Sequence, residues 1–191
     1  VRSAFSFLAG ASLPEDLVAR AAALDFDTVA IVDRDGVYGA PRAFRAAQAN
    51  GGLRTLIGAD VEIENGRLAL LATDCRGYRN LCKLLTRGKM RSVERRGALG
   101  WGDLEEHAGG LIALVPGDDD AMLAHLDDAA DARARLDRLQ AFLGTGSVYV
   151  EIHRHFESRQ AWVTRRLIAL AEACRIPLVA TNDVRHACPN D

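Results

Sequence analysis

Two carboxylate–arginine pairs stand where apolar runs stop: Asp33-Arg34 after "DTVAIV", and Asp183 with Arg185 after "PLVATN". In parallel α/β proteins chemistry gathers at the C-terminal tips of strands. A carboxylate beside a histidine there would be a metal-ligand pair, but arginine is permanently charged and has no lone pair to coordinate with. Other strand ends supply Asp60 and Glu62 ("IGADVEIE"), Arg67 opening "RLALLAT", and Pro116 and Gly117 followed by Asp118, Asp119 and Asp120. Glu151, His153 and His155 come from "VEIHRHFE", and Asn182, Asp183, Arg185 and His186 from "TNDVRHA". Zinc and manganese clusters need neutral imidazoles and carboxylates converging at coordination distance. Here arginine recurs where imidazole is needed.

The elements that would position these residues alternate. Short apolar strands are predicted over 27–33, 55–63, 67–73, 111–116, 147–153 and 177–181, apolar on both faces as covered strands must be. Amphipathic helices are predicted over 12–24, 40–50, 77–89, 130–144 and 159–175. Ser12 suits an N-cap, with Pro14 and Glu15 in the first turn, and Gly51 suits a left-handed C-cap. "GTG" at 144–146 is too short to cradle phosphate and reads as a helix end plus turn. The Gly- and Arg-rich stretch 89–103 has no period and reads as an exposed, solvated loop. His107 and His125 fall on helical stretches and read as surface. The β-α-β rhythm predicts a mostly parallel sheet or barrel.

Composition bounds the function. The chain has 191 residues, 49% apolar and 26% charged, with a formal net charge of −2. That length supports one sizeable core. The near-neutral balance argues against gripping nucleic acid by charge alone. No apolar run reaches the length of a membrane span. Cys75, Cys82, Cys174 and Cys188 form no CxxC pair and read as reduced, mostly buried thiols of a cytoplasmic protein. A start at "VRSAFS" and a stop at "ACPND" suggest a fragment of something longer, with the first strand truncated.

Several separated stretches, "SAFSFLAGAS", "DGVYG", "IGADVEI", "LALLATDCRGYRNLCKLLTRG" and "LVATNDVRHACPND", resemble the N-terminal PHP (polymerase and histidinol phosphatase) domain of bacterial C-family DNA polymerases. The wording is most similar to the error-prone DnaE-type branch. The resemblance covers nearly all of residues 1–191 as a single domain, in the right order. It implies a distorted TIM-like (β/α)7 barrel at the start of a polymerase chain that serves translesion synthesis and DNA repair. Catalysis would then lie outside this domain, with Mg in the polymerase domain of the parent chain and no cofactor here. Implied partners are the rest of that chain, DNA through it, and a sliding clamp or mutagenesis accessory proteins as docking candidates.

Active PHP domains hold up to three metal ions with a His-x-His pair, further His, Asp and Glu residues, and a closing Asp-x-His. Carried over by position, the second member of the His-x-His pair falls on Arg2, and an acidic ligand falls on Ala9. A histidine falls on Arg34, and the acid of the "GAE" motif is kept as Asp60. The histidine opening the next strand becomes Arg67, and the closing pair becomes Asp183 with Arg185. The position after "LIALV" falls on Pro116 or Gly117. No metal and no catalytic residue are expected on this pattern. Removing metals while keeping Asp60, Asp183 and Asp33 would strand negative charge in a half-buried cleft. Guanidinium groups supply the missing charge and bind carboxylates with two parallel hydrogen bonds. A lone arginine at a barrel rim would simply extend to solvent, whereas four at ligand positions of one site favour replacement. The alternative is a metal-dependent phosphoesterase, a 3′-5′ exonuclease or pyrophosphatase, with an altered site of Asp60, His153, His155, Asp183 and His186.

Overall fold

The computed structural model describes residues 1–64, 66–91, 99–117, 122–123, 128–154 and 160–188. Its order is α1 (Pro14–Ala23), β1 (Thr28–Arg34), α2 (Ala40–Ala49), β2 (Arg54–Ile63), β3 (Gly66–Ala72), α3 (Cys75–Arg91), α4 (Trp101–His107), β4 (Leu111–Val115), α5 (Ala129–Leu143), β5 (Val148–Ile152), α6 (Gln160–Cys174) and β6 (Leu178–Ala180). The strands form one six-stranded sheet in chain order, curled into a half-barrel. Each segment read as strand or helix from its periodicity is one, within two residues at each end.

The sheet is mostly parallel, as expected, with β3 as the exception. β3 runs antiparallel to both β2 and β4, while β1–β2, β4–β5 and β5–β6 are parallel. Only Glu64 and Asn65 separate β2 from β3. That is room for a tight turn and not for a crossover helix. Glu64 accordingly takes a left-handed φ of 45°.

Six strands stand among the described residues where a sevenfold barrel was expected. The N-terminal segment joins the sheet's two edges instead. Val1 donates to Ala30 O at 2.7 Å and accepts from Val32 N at 2.9 Å, and Arg2 N donates to Val184 O at 3.1 Å beyond β6. These bonds draw the start of the chain, β1 and the segment after β6 into one mouth.

The main core lies between the sheet and helices α3–α6, with Leu68, Leu70, Leu81, Leu84, Leu104 and Leu136 almost fully buried. A smaller cluster of Val18, Val29, Ile31, Ala43 and Ala47 seats α1 and α2 against β1. Gly77 lets α3 approach the turn before β4, since a Cβ there would lie 1.8 Å from Gly110 O. Among the described residues no helix is long and apolar enough to cross a membrane.

Four local readings are corrected. The stretch 89–103 contains the end of α3 and the start of α4, and Trp101 and Asp103 are buried; residues 92–98 lie outside the described ones. Asp103 accepts from Gly100 N at 3.0 Å and from Arg87 at 3.3 Å, so a buried carboxylate starts the helix that local composition hid. His107 is buried rather than surface, with Nδ1 3.1 Å from Asp103 O; His125 lies outside the described residues. Ser12 does not cap α1, where Leu13 holds that position; its Oγ accepts from Ala187 N at 2.7 Å. The four cysteines are free, but Cys75 and Cys188 are exposed and only Cys174 is buried.

Candidate functional site

Asp60 lies at the centre of the mouth, on β2 and 3% exposed. The parallel register sets Arg34, at the tip of β1, directly opposite it. The tight β2–β3 turn brings Arg67 back alongside, opposite Glu62. Arg2 arrives from the N-terminal segment, and Asp183 and Arg185 from the segment after β6, where Asp183 takes a left-handed φ of 42°. Four separate stretches of chain thus deliver their charges to one place.

The geometry is dense. Arg67 Nε donates to Asp60 Oδ1 at 3.0 Å, and its Nη2 donates to Asp60 O at 2.8 Å and to Asp35 Oδ1 at 3.1 Å. Its Nη1 reaches Glu62 Oε2 at 3.5 Å. Arg2 Nε donates to Asp60 Oδ2 at 3.3 Å while its Nη1 donates to Asp183 Oδ1, so one guanidinium bridges two carboxylates. Arg34 Nε lies 3.6 Å from Asp60 Oδ2, an ion pair longer than a hydrogen bond. Arg185 grips Asp183 Oδ2 through Nε at 2.9 Å and Nη2 at 2.6 Å. All four oxygens of Asp60 and Asp183 therefore face a guanidinium.

Burial and charge compete here, and charge prevails. Burial would lower the pKa of Arg2, but Asp60 and Asp183 raise it above the ordinary arginine value. Arg67 behaves alike, with burial opposed by Asp60 and Asp35. Burial would raise the pKa of Asp183, yet Arg2 and Arg185 hold it below the ordinary carboxylate value. Permanently charged arginines neither ligate a cation nor exchange protons near neutrality. Among the described residues no three His, Cys, Asp or Glu side chains converge as a metal-ligand group.

Asp33 is not part of this cluster, although it was grouped with Asp60 and Asp183 from sequence. It is fully buried and, among the described residues, accepts from neutral donors: Ser3 N at 2.9 Å, Ser3 Oγ at 2.8 Å and Ser6 Oγ at 2.9 Å on Oδ1, and Gly39 N at 2.8 Å on Oδ2. Ser6 Oγ also accepts from Arg34 N at 3.0 Å. Asp33 thus ties the N-terminal loop to the end of β1.

Other candidates fall elsewhere. Ala9 is buried in that loop. His153 is half-buried just past β5 and lines a cavity of about 800 Å3 with Arg154, Arg165, Thr181 and Asn182, to which neither Asp60 nor Asp183 contributes. His186 is exposed, and His155 and Asp118, Asp119 and Asp120 lie outside the described residues. No described contact joins Pro116 or Gly117 to the arginine cluster. Sequence reasoning missed Asp35, Ser3 and Ser6. Asp35 carried a signal, an Asp-Gly dipeptide that favours a turn; its φ is 50° and its N–H donates to Asp60 O at 2.8 Å.

Comparison with known proteins identifies the family and the fold. Residues 1–155 match the PHP domain model. Curated relatives include error-prone DNA polymerases of Rhodopirellula baltica, 34% identical over 97% of the chain, and of Pseudomonas aeruginosa, 37% identical over 95%. The matched region is 16% of each relative's length. Among solved structures, the chain is similar over its whole length to a protein of Bifidobacterium adolescentis provisionally assigned as a metal-dependent phosphoesterase, with a TM-score of 0.68, 16% identity and 88% of that chain covered. It is also similar to an amidohydrolase of Chromobacterium violaceum, with a TM-score of 0.59, 16% identity, and 97% of this chain and 88% of that one covered.

Proposed function

The chain belongs to the PHP domain family, and from that premise we propose that it is the non-catalytic PHP domain of an error-prone DNA polymerase. In this reading guanidinium groups occupy the place of metal ions, and the domain supports the polymerase body during translesion synthesis in the cytoplasm. The observation that carries it is the saturation of Asp60 and Asp183 by Arg2, Arg34, Arg67 and Arg185. The donor set does not fit a metal: the carboxylates are spoken for, and a cation placed among four guanidiniums would meet repulsion on every side. Nucleotidyl transfer, its Mg and the DNA contacts would belong to the remainder of the parent chain. A sliding clamp or mutagenesis accessory proteins are the docking partners this role would take.

A second reading is favoured by the likeness to the phosphoesterase fold. It makes the domain a metal-dependent phosphoesterase with an altered site of Asp60, His153, His155, Asp183 and His186. The two separate on activity. The structural reading expects no degradation of single-stranded DNA and no phosphate-monoester hydrolysis above background, with manganese supplied. An activity that survives repurification and disappears in Asp183→Ala would establish the second reading instead.

A further inference from the structure

The loop between Arg2 and α1 is built in two halves. Its inner half is Ser3, Ser6, Ala9 and Ser12, all buried. Its outer tip is Phe7 and Leu8, 83% and 90% exposed. Chains of this size scatter single apolar residues over their surfaces, but two large adjacent ones this exposed form a feature.

The loop that carries the tip is bonded within itself. Ser6 N donates to Ser3 O at 2.8 Å, Ala9 N to Ser6 O at 2.8 Å, Gly10 N to Ser6 O at 3.0 Å, and Ala4 N to Ser12 O at 2.8 Å. Ser3 and Ser6 anchor the loop on Asp33, and Ala11 N donates to Arg185 O at 3.0 Å. Gly10 is required, because a Cβ there would lie 2.2 Å from Ser3 O. Leu8 itself sits at a left-handed φ of 59°, a strained conformation that persists only where the surroundings over-determine it. A loop bonded in this way, presenting two apolar side chains on a defined backbone, suits burial against a partner, since a preorganised backbone lowers the ordering cost of binding.

The curated relatives devote only 16% of their length to the matched region, so a far larger body of chain lies beside it at fixed stoichiometry. We propose that the Phe7–Leu8 tip is an intrachain docking knob that inserts into an apolar socket on the remainder of the polymerase. This rests on the reading above that the domain belongs to such a chain. It adds the surface through which support is transmitted. Ala11 N also donates to the Arg185 carbonyl, so the loop that carries the knob is hydrogen-bonded to the segment that carries Arg185.

The test uses full-length polymerase carrying Leu8→Cys or, separately, Phe7→Cys, labelled with a maleimide and read peptide by peptide, with the same cysteine in guanidinium as the exposed reference. Two variants guard against one that fails to fold. Labelling of both slowed ~100-fold or more in the native chain, independent of concentration, is the expected result. Rates within a few-fold of the denatured reference would overturn the knob. Protection that grows with protein concentration, or needs a second protein, would also overturn it, in favour of self-association or an external partner. Metal found at the strand ends would sink the structural reading without changing this pattern, while fast labelling would leave the arginine cluster untouched.

Discussion

Asp33 and Asp60 sit on neighbouring parallel strands, both almost wholly buried, and are satisfied in opposite ways. Asp33 is ringed by two hydroxyls and two backbone N–H groups, all from segments close to it in space through one loop and one turn. Asp60 is ringed by three guanidiniums drawn from the N-terminal segment, β1 and β3. A carboxylate surrounded by neutral dipoles is a local clasp. One surrounded by cations is the residue of a charge balance, and its partners are buried charges that depend on it in turn. The first holds a loop, and the second holds the mouth of the barrel.

The two carboxylates should differ most when each is removed, and Asp60 should show the larger effect. Asp60→Ala leaves Arg2 with Asp183 alone and Arg67 with the half-exposed Asp35 and Glu62, removing the one buried carboxylate they share, and is expected to cost about 3–5 kcal/mol in denaturant unfolding. Adding Arg67→Met should recover part of that loss, because an apolar stem needs no counter-charge. Asp33→Asn keeps the shape and one acceptor oxygen but turns an NH2 group toward Gly39 N–H. Unfolding should show a smaller loss, roughly 1–3 kcal/mol, unrelieved by any arginine substitution. A larger loss at Asp33 than at Asp60 would reverse the assignment of roles. Arg185 is half exposed, so Arg185→Ala should cost only ~0–1 kcal/mol and the difference should shrink in high salt.

The smallest effect is in acid. Asp183 has a folded pKa below its unfolded value, so its contribution is complete above the ordinary carboxylate value of ~3.9 and is lost as pH falls through the lower, folded one. Unfolding followed below ~pH 4 should steepen for this reason, and Asp183→Asn should flatten that limb. An unchanged acid limb in the variant would mean that Asp183 gains little from Arg2 and Arg185.

Much of this was legible in the sequence for identifiable reasons. Strands and helices follow from apolar period, which burial enforces directly, so boundaries fall close to their observed places. The cluster was legible because the family resemblance implies that Arg2, Arg34, Arg67 and Arg185 share one site with Asp60 and Asp183, and the structure brings these six residues together as ion pairs. What stayed hidden depended on three-dimensional neighbours. The serines that clasp Asp33 look like ordinary loop residues until the chain folds back on β1. His107 looks like surface because a lone histidine on a helical stretch carries no signal of burial; in the fold it is buried, with Nδ1 close to Asp103 O one turn earlier.

If guanidinium groups have taken the place of metal ions around Asp60 and Asp183, elemental analysis shows it. Protein purified without chelator, and again after exposure to zinc or manganese followed by gel filtration, should carry clearly less than one equivalent per chain, unchanged by Asp60→Ala. One or more equivalents retained, and lost in Asp60→Ala or Asp183→Ala, would contradict the account.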